Sequence, residues 1–163
     1  KEIHCFDEQV QIRRNTFLLS SAKKSFSGKF ILTDKDYLKK MIHEIILNAL
    51  KFSRKDSPVT IIIDIVDDRF ILHVLNLPEK NEKGITGIPE EYENIVFEPF
   101  YRMTKTLFEE FKTLDYGIGL TMCEKIVLKS EGSIRIFNIT DHTDIVIGPQ
   151  TKVCCEIQMP VVS

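Results

Sequence analysis

Two kinds of period run through the apolar positions of this chain, and the switches between them mark out its elements. Val10, Phe17 and Leu18 supply sparse apolar positions across Phe6 to Ala22, which predicts an N-terminal helix. Ser27-Gly28 marks a turn before a short strand, Lys29 to Leu32. Leu38, Ile42, Ile45, Ala49 and Phe52 then recur at spacings of four and three, a continuous stripe that predicts a helix from Asp36 to Phe52, with Thr33 or Asp34 as its cap. The period changes to two at Val59, Ile61, Ile63 and Ile65, and Asp67-Asp68 turns into a second strand, Phe70 to Leu75, so a β-hairpin is expected.

Asn76 to Glu91 is polar and broken by Pro78, Gly84, Gly87 and Pro89, which predicts a long loop. Pro89-Glu90-Glu91 can open a short helix ending near Phe97, and Met103 to Tyr116 reads as a charged, phenylalanine-bearing linker. A helix is expected from Gly117, with Leu120, Cys123 and Val127 on one face and Glu131-Gly132 as its end. Ser133 to Ile139, Asp144 to Ile147 and Val153 to Met159 read as closing strands. The sum is an α+β fold in two layers, about three main helices on one face of a mixed, mostly antiparallel sheet. There is no internal repeat and no low-complexity segment.

Composition narrows the class without changing that picture. A chain of 163 residues suits one domain, and 43% hydrophobic with 28% charged residues is ordinary for a globular protein. The formal net charge of -2, with Lys and Arg scattered, argues against a nucleic-acid partner. No apolar run is long enough for a membrane span, which predicts no membrane insertion by this stretch. Lys1-Glu2-Ile3 does not open a charged-then-apolar leader, and the expectation is a piece of a longer chain. Cys5, Cys123, Cys154 and Cys155 have no zinc spacing and no framework pattern, and read as buried thiols in a reducing cytosol.

Candidate chemistry begins on the helix from Asp36 to Phe52. Glu44, Asn48 and Lys51 stand at i, i+4 and i+7 and so share a face beside the apolar stripe. A carboxylate, an amide oxygen and an ammonium in that order suit a nucleotide–metal site, though taken alone the triplet fits a solvated polar face better. Gly117-Ile118-Gly119-Leu120 opens a helix whose backbone N–H groups favour anions, and its glycines allow a phosphate close to the backbone. In Phe97-Glu98-Pro99-Phe100-Tyr101-Arg102 the two phenylalanines read as core plugs, and Arg102 leaves toward the linker as a charge-assisted donor.

Three of these segments resemble those of one family. His43-Glu44-Ile45-Ile46-Leu47-Asn48-Ala49-Leu50-Lys51-Phe52-Ser53 resembles the N box of the GHKL ATPases, the superfamily of histidine kinases, gyrase, MutL and the Hsp90 chaperones. Phe97 to Arg102 matches the F box of sensor histidine kinases almost letter for letter, and Gly117 to Leu120 resembles the G2 box. Gly148-Pro149-Gln150-Thr151 with the closing strand resembles the last glycine box, so the likeness runs from about Asp34 to Pro160.

The resemblance implies the Bergerat fold and an ATP-binding catalytic domain that transfers the γ-phosphate of ATP to a histidine on a separate dimerisation domain, in concert with a response regulator receiver domain. It implies that Asn48 holds Mg²⁺, that Lys51 and Arg102 contact phosphate, and that Glu44 acts as base or positions the nucleophile. The backbone at Gly117, Gly119 and Leu120 would cradle the triphosphate, with Asn76, Gly87 and Thr151 around the adenine. A cytoplasmic location follows, in a parent that is free or membrane-anchored.

The sequence departs from the family in two places. Asn76 stands where the family's G1 box has an Asp that accepts the adenine amino group, and about eight residues of loop intervene before Gly87-Ile88-Pro89, with Ile85 at the first Gly. Asp115 stands where the G2 box usually has a further Gly. The alternative is therefore a degenerate kinase-like domain acting as an interaction module. A GHKL ATPase of the Hsp90 or MutL kind, suggested by Glu44, is disfavoured by the F box.

Overall fold

The computed structural model describes residues 6–21, 26, 28–81, 84–104, 108–113 and 116–162. Its elements in chain order are α1 (Asp7–Arg13), β1 (Thr16–Ser21), β2 (Phe30–Ile31), α2 (Lys35–Phe52), β3 (Pro58–Val66), β4 (Arg69–Asn76), α3 (Gly119–Lys129), β5 (Ser133–Asp141) and β6 (Gln150–Val162). The sheet order is β1-β3-β4-β6-β2, with β5 also paired to β6. Among the described residues only the β1–β3 ladder is parallel, and the other pairs are antiparallel. The three helices and the mixed, mostly antiparallel sheet are those the hydrophobic pattern predicts.

The stripe on α2 seals the two layers. Asp34 caps this helix, its carboxylate accepting from the Asp36 and Tyr37 amides at 2.8 and 3.1 Å. Met41, Ile45 and Leu50 are buried against Val59 and Ile61 of β3, Leu72 and Val74 of β4, and Cys155, Ile157 and Met159 of β6. Alternation along each strand puts these residues on one side, so each rung of the sheet contributes one layer of core. Asp67 and Asp68 turn the β3–β4 hairpin with φ of 49° and 56°, the paired left-handed geometry of a tight hairpin turn. α3 ends as expected at Glu131-Gly132, where a Cβ on Gly132 would overlap the Gln158 carbonyl.

Three expectations need correction. The N-terminal helix stops at Arg13 rather than running to Ala22, and Thr16–Ser21 is a strand parallel to β3. The cause is tertiary: Arg14 takes a left-handed cap at φ 52°, and Asn15, buried, donates through Nδ2 to the Ser57 carbonyl at 2.7 Å, steering the chain onto the sheet. Asp144 to Ile147 is not a strand. The Asp144 carboxylate accepts from the Val146 and Ile147 amides at 2.9 and 2.8 Å, and this local turn outcompetes the β propensity of an Ile-Val-Ile run. The short helix after Pro89 is two 3₁₀ turns, Glu90–Tyr92 and Ile95–Phe97.

Among the described residues no helix is long and apolar enough to cross a membrane. Cys123, Cys154 and Cys155 are buried free thiols, as their spacing suggests, and Cys5 lies outside the described residues.

Candidate functional site

A cavity of about 630 Å³ is walled by α2 on one side and, on the other, by Val74, Ile136, Val153 and Cys155 of the sheet. Nine of the residues singled out in the sequence line it: Glu44, Asn48 and Lys51 from α2, Asn76 from the end of β4, Gly87, Arg102, and Gly117, Gly119 and Leu120 around the start of α3. Thr151 does not; it pairs with Thr140 near the start of β6, two residues before the cavity-lining Val153. Asp115 lies outside the described residues.

Each polar group is held by a specific local arrangement. Lys51, in the last turn of α2, is only 4% exposed, so the folded chain itself keeps a cation at the cavity wall. The helix stops just beyond it, where Ser53 Oγ donates to the Ala49 carbonyl at 2.6 Å. Glu44 lies on the α2 face that meets the start of α3, and a Cβ on Gly119 would overlap its carboxylate. The glycine therefore sets how near that carboxylate comes to the N-terminus of α3.

α3 begins at Gly119, two residues later than expected, because Gly117 has φ 70° and cannot continue a helix backward. A Cβ there would come within 2.6 Å of the Tyr101 carbonyl, and the Phe100 amide donates to the Gly117 carbonyl at 2.8 Å. The Phe97–Arg102 segment thus clamps the glycine turn in front of α3. Thr121 adds a second tie, its hydroxyl donating to the Phe97 carbonyl at 2.7 Å. No side chain caps the 11 residues of α3, and its first residues, Gly119 and Leu120, line the cavity.

Phe97 is the buried plug that the sequence suggests, packed with Ile88, Val96 and Val153. Phe100 is not: it is 77% exposed, because its positive φ of 65° turns the side chain away from that cluster. Tyr101 packs there instead, near Tyr92.

Sequence reasoning missed two residues. Asn138 on β5 grips the backbone of Ile88, accepting from its amide at 3.0 Å and donating to its carbonyl at 2.7 Å. Gly87, at φ 83°, leaves room for that side chain, since a Cβ would overlap Asn138 Oδ1. Arg13 on α1 donates to the Ser53 carbonyl at 3.2 Å and to Glu79 at 2.7 Å, and lies over the Phe108 ring at 5.6 Å. It thereby ties α1 to the linker, whose Phe108 and Phe111 are buried in the main core. Both residues carry a signal in the sequence: each falls on an apolar parity, Asn138 after Ile134 and Ile136, and Arg13 after Phe6 and Val10.

Asn76 is the unusual member of the site. It is 5% exposed, and its Nδ2 is buried without a hydrogen-bond partner. Chemically, the arrangement offers a buried ammonium, a helix N-terminus for anions, an amide oxygen and a carboxylate beside them, and an apolar recess ending in a lone amide.

Comparisons with known proteins agree with this geometry. A family model described as "Histidine kinase-, DNA gyrase B-, and HSP90-like ATPase" matches residues 33–161. The sensor histidine kinase WalK of Bacillus subtilis is 30% identical over 105 residues, which is 64% of this chain and 16% of that protein. The chain therefore spans about a sixth of that relative's length. Among solved structures, the catalytic domain of histidine kinase ThkA has a TM-score of 0.73 at 18% identity, covering 98% of this chain and 87% of that one. ThkA in complex with response regulator protein TrrA gives 0.68 at 17% identity, covering 98% and 38%. Full-length ShkA in complex with AMPPNP gives 0.72 at 13% identity, covering 99% and 29%. Below 25% identity these structures speak for the fold alone, and the family match carries the assignment: the chain belongs to the histidine kinase-, DNA gyrase B- and HSP90-like ATPase family.

Proposed function

We propose that residues 1–163 form a single domain, the ATP-binding catalytic domain of a two-component sensor histidine kinase, which transfers the γ-phosphate of ATP to a histidine outside this chain. The observation that carries the reading is one cavity of about 630 Å³ that gathers Asn48 and Lys51, the Gly117–Gly119 turn and Asn76 from separate parts of the sequence. Lys51 and Arg102 would neutralise the triphosphate, the first-turn amides of α3 would bind its oxygens, and Asn76, Gly87 and the Thr151 end of β6 would surround the base. Glu44 would orient the attacking imidazole and accept its proton as the new P–N bond forms and the bond to ADP breaks.

The donor set fits Mg²⁺, a hard cation that takes few protein ligands. Among the described residues no group of three or more His, Cys, Asp or Glu is assembled, and Asn48 lines the cavity with an amide oxygen to give. Asn48 would hold the ion, which supplies charge neutralisation across the phosphates.

Three observations on the described histidines support an acceptor outside this chain, and His4 lies outside the described residues. His43 is stacked on Phe6 with ring centroids 4.7 Å apart. His73 pairs with Glu156 at 3.0 Å, and His142 lies in the exposed segment after β5. A dimerisation domain bearing the histidine and a response regulator receiver domain are the proposed partners. ThkA has been solved with such a regulator. A cytoplasmic setting, with the parent free or membrane-anchored, goes with this reading.

Calorimetric titration with Mg-ATP tests the proposal. The expected result is binding in the micromolar to roughly millimolar range that weakens in Asn48→Ala only when Mg²⁺ is present. The orphaned Asn76 amide favours one competing reading, a degenerate module that has kept its shape without its nucleotide. Silence at several times millimolar ATP would establish that reading in place of the kinase.

A further inference from the structure

Asn76 and Asn138 occupy the same rung of the sheet, flanking Val153: Asn76 is the Cα partner of Val59 and Val153, and Asn138 that of Val153. Their side chains meet different fates. Asn138 spends both its oxygen and its nitrogen on the backbone of Ile88. Asn76, 5% exposed, has its Nδ2 buried with no acceptor, in a recess lined by Val74, Ile136, Val153 and Cys155. A buried amide nitrogen is seldom left unpaired in apolar surroundings. Here it borders the cavity, so an acceptor can come from whatever fills that cavity.

We propose that Asn76 is the base-specificity residue of this site, and that it admits 6-oxopurine nucleoside triphosphates, of the inosine or guanosine kind, at least comparably to ATP. The proposal rests on the nucleotide-binding reading above. A carboxylate at this position has only acceptors. It suits the amino group at C6 of adenine and repels an oxygen at C6. An amide carries a donor as well as an acceptor. Its Nδ2 donates to the O6 of a 6-oxopurine, which supplies the acceptor that the recess lacks. Rotating the amide by half a turn offers Oδ1 to the adenine amine, so adenine remains a ligand. With an amide in place of a carboxylate the penalty against O6 is absent, so the oxopurine is admitted beside adenine.

The test compares Mg-ITP with Mg-ATP on the whole chain by competitive titration, because their bases differ only at the C6–N1 edge. Inosine triphosphate is expected to bind within about threefold of ATP or tighter. Asn76→Asp is expected to swing the ratio by roughly tenfold or more toward ATP, with folding checked by circular dichroism. ATP binding more than about threefold tighter than ITP in the native chain overturns the base preference and leaves the nucleotide site standing. An unchanged ratio in a folded Asn76→Asp overturns the assignment to Asn76. If neither nucleotide binds, the nucleotide-site reading fails and this inference fails with it. Should Asn76→Asp not fold, the native ratio decides alone.

Discussion

Gly87 and Asn138 are coupled by a single contact, and a double-mutant cycle should expose it. Asn138 makes two hydrogen bonds to Ile88, at 3.0 and 2.7 Å, and these pin the Gly87-Ile88-Pro89 segment to β5. Each is a neutral bond whose net contribution is about 0.5–1.5 kcal/mol, so Asn138→Ala should cost about 1–3 kcal/mol. Asn138 is itself exposed, so water can reach the freed Ile88 groups, which favours the lower half of that range. Gly87→Ala has two costs: a left-handed φ of 83° that disfavours a Cβ by about 1 kcal/mol, and displacement of the Asn138 side chain, which the new Cβ would overlap. In the double variant the clamp is lost only once and the overlap is gone. The two single changes should therefore sum to about 1–3 kcal/mol more than the double change. Thermal melts should drop by roughly 2–4 °C per kcal/mol for a chain of this size, and urea titrations would give the free energies directly. Additivity within about 0.5 kcal/mol would show that Gly87 serves only its own backbone and that the clamp is not what it makes room for.

Gly117→Ala places a Cβ 2.6 Å from the Tyr101 carbonyl at a φ of 70°, so it should destabilise by about 2 kcal/mol or more and weaken any nucleotide binding; an unchanged melt would refute the clamp between the Phe97–Arg102 segment and α3. Burial raises the Cys154 thiol, with the Glu156 charge adding to it, and burial raises Cys155, each to about 12, and Cys123 is pushed up by burial and by Glu44. These three thiols should resist alkylation at neutral pH until the chain is unfolded, and rapid labelling of any of them in the native protein, mapped by peptide mass, would contradict the packing. For Glu156, burial pushes the carboxyl up, but hydrogen bonds from Arg135 and His73 outweigh it and hold the group below its ordinary value. Its contribution is then present above the unfolded carboxyl value of about 4.3 and lost as pH falls through the lower folded value, so the stability gap to Glu156→Gln should shrink below about pH 4. A gap constant from pH 7 to 3 would rule this out.

How much of the fold was legible followed from the range of the interactions that decide each element. α2 was plain because its stripe, Leu38 to Phe52, and its Asp34 cap are local, and the β3–β4 hairpin was plain because Asp67-Asp68 sets its own turn. α1 was misjudged because its end depends on Asn15 reaching Ser57, 42 residues away, which no window around Phe6 to Ala22 contains. The Asp144 to Ile147 segment failed for the opposite reason. There a local bond, from backbone amides to the Asp144 carboxylate, outweighed an apolar run that reads as a strand on composition.

The site divides along the same line, and the division explains why Asn76 matters. Glu44, Asn48 and Lys51 are legible because one helix sets their spacing, and Gly117 to Leu120 because one turn sets theirs. Phe100 was misread as a plug because its side-chain direction depends on a positive φ that its residue type does not announce. Asn138 and Arg13 went unread because the partners that give them work, Ile88 and the Glu79–Phe108 region, arrive from distant loops. Asn76 sits between these cases. Its position after Leu72 and Val74 marks it as facing inward, but only the folded chain shows that Asn138, across Val153 on the same rung, has found its partners while the Asn76 Nδ2 has not. Of the two asparagines on one rung, one is bonded through both side-chain polar atoms and the other keeps an unpaired nitrogen. The first holds the pocket's wall, and the second is free to be answered by a ligand.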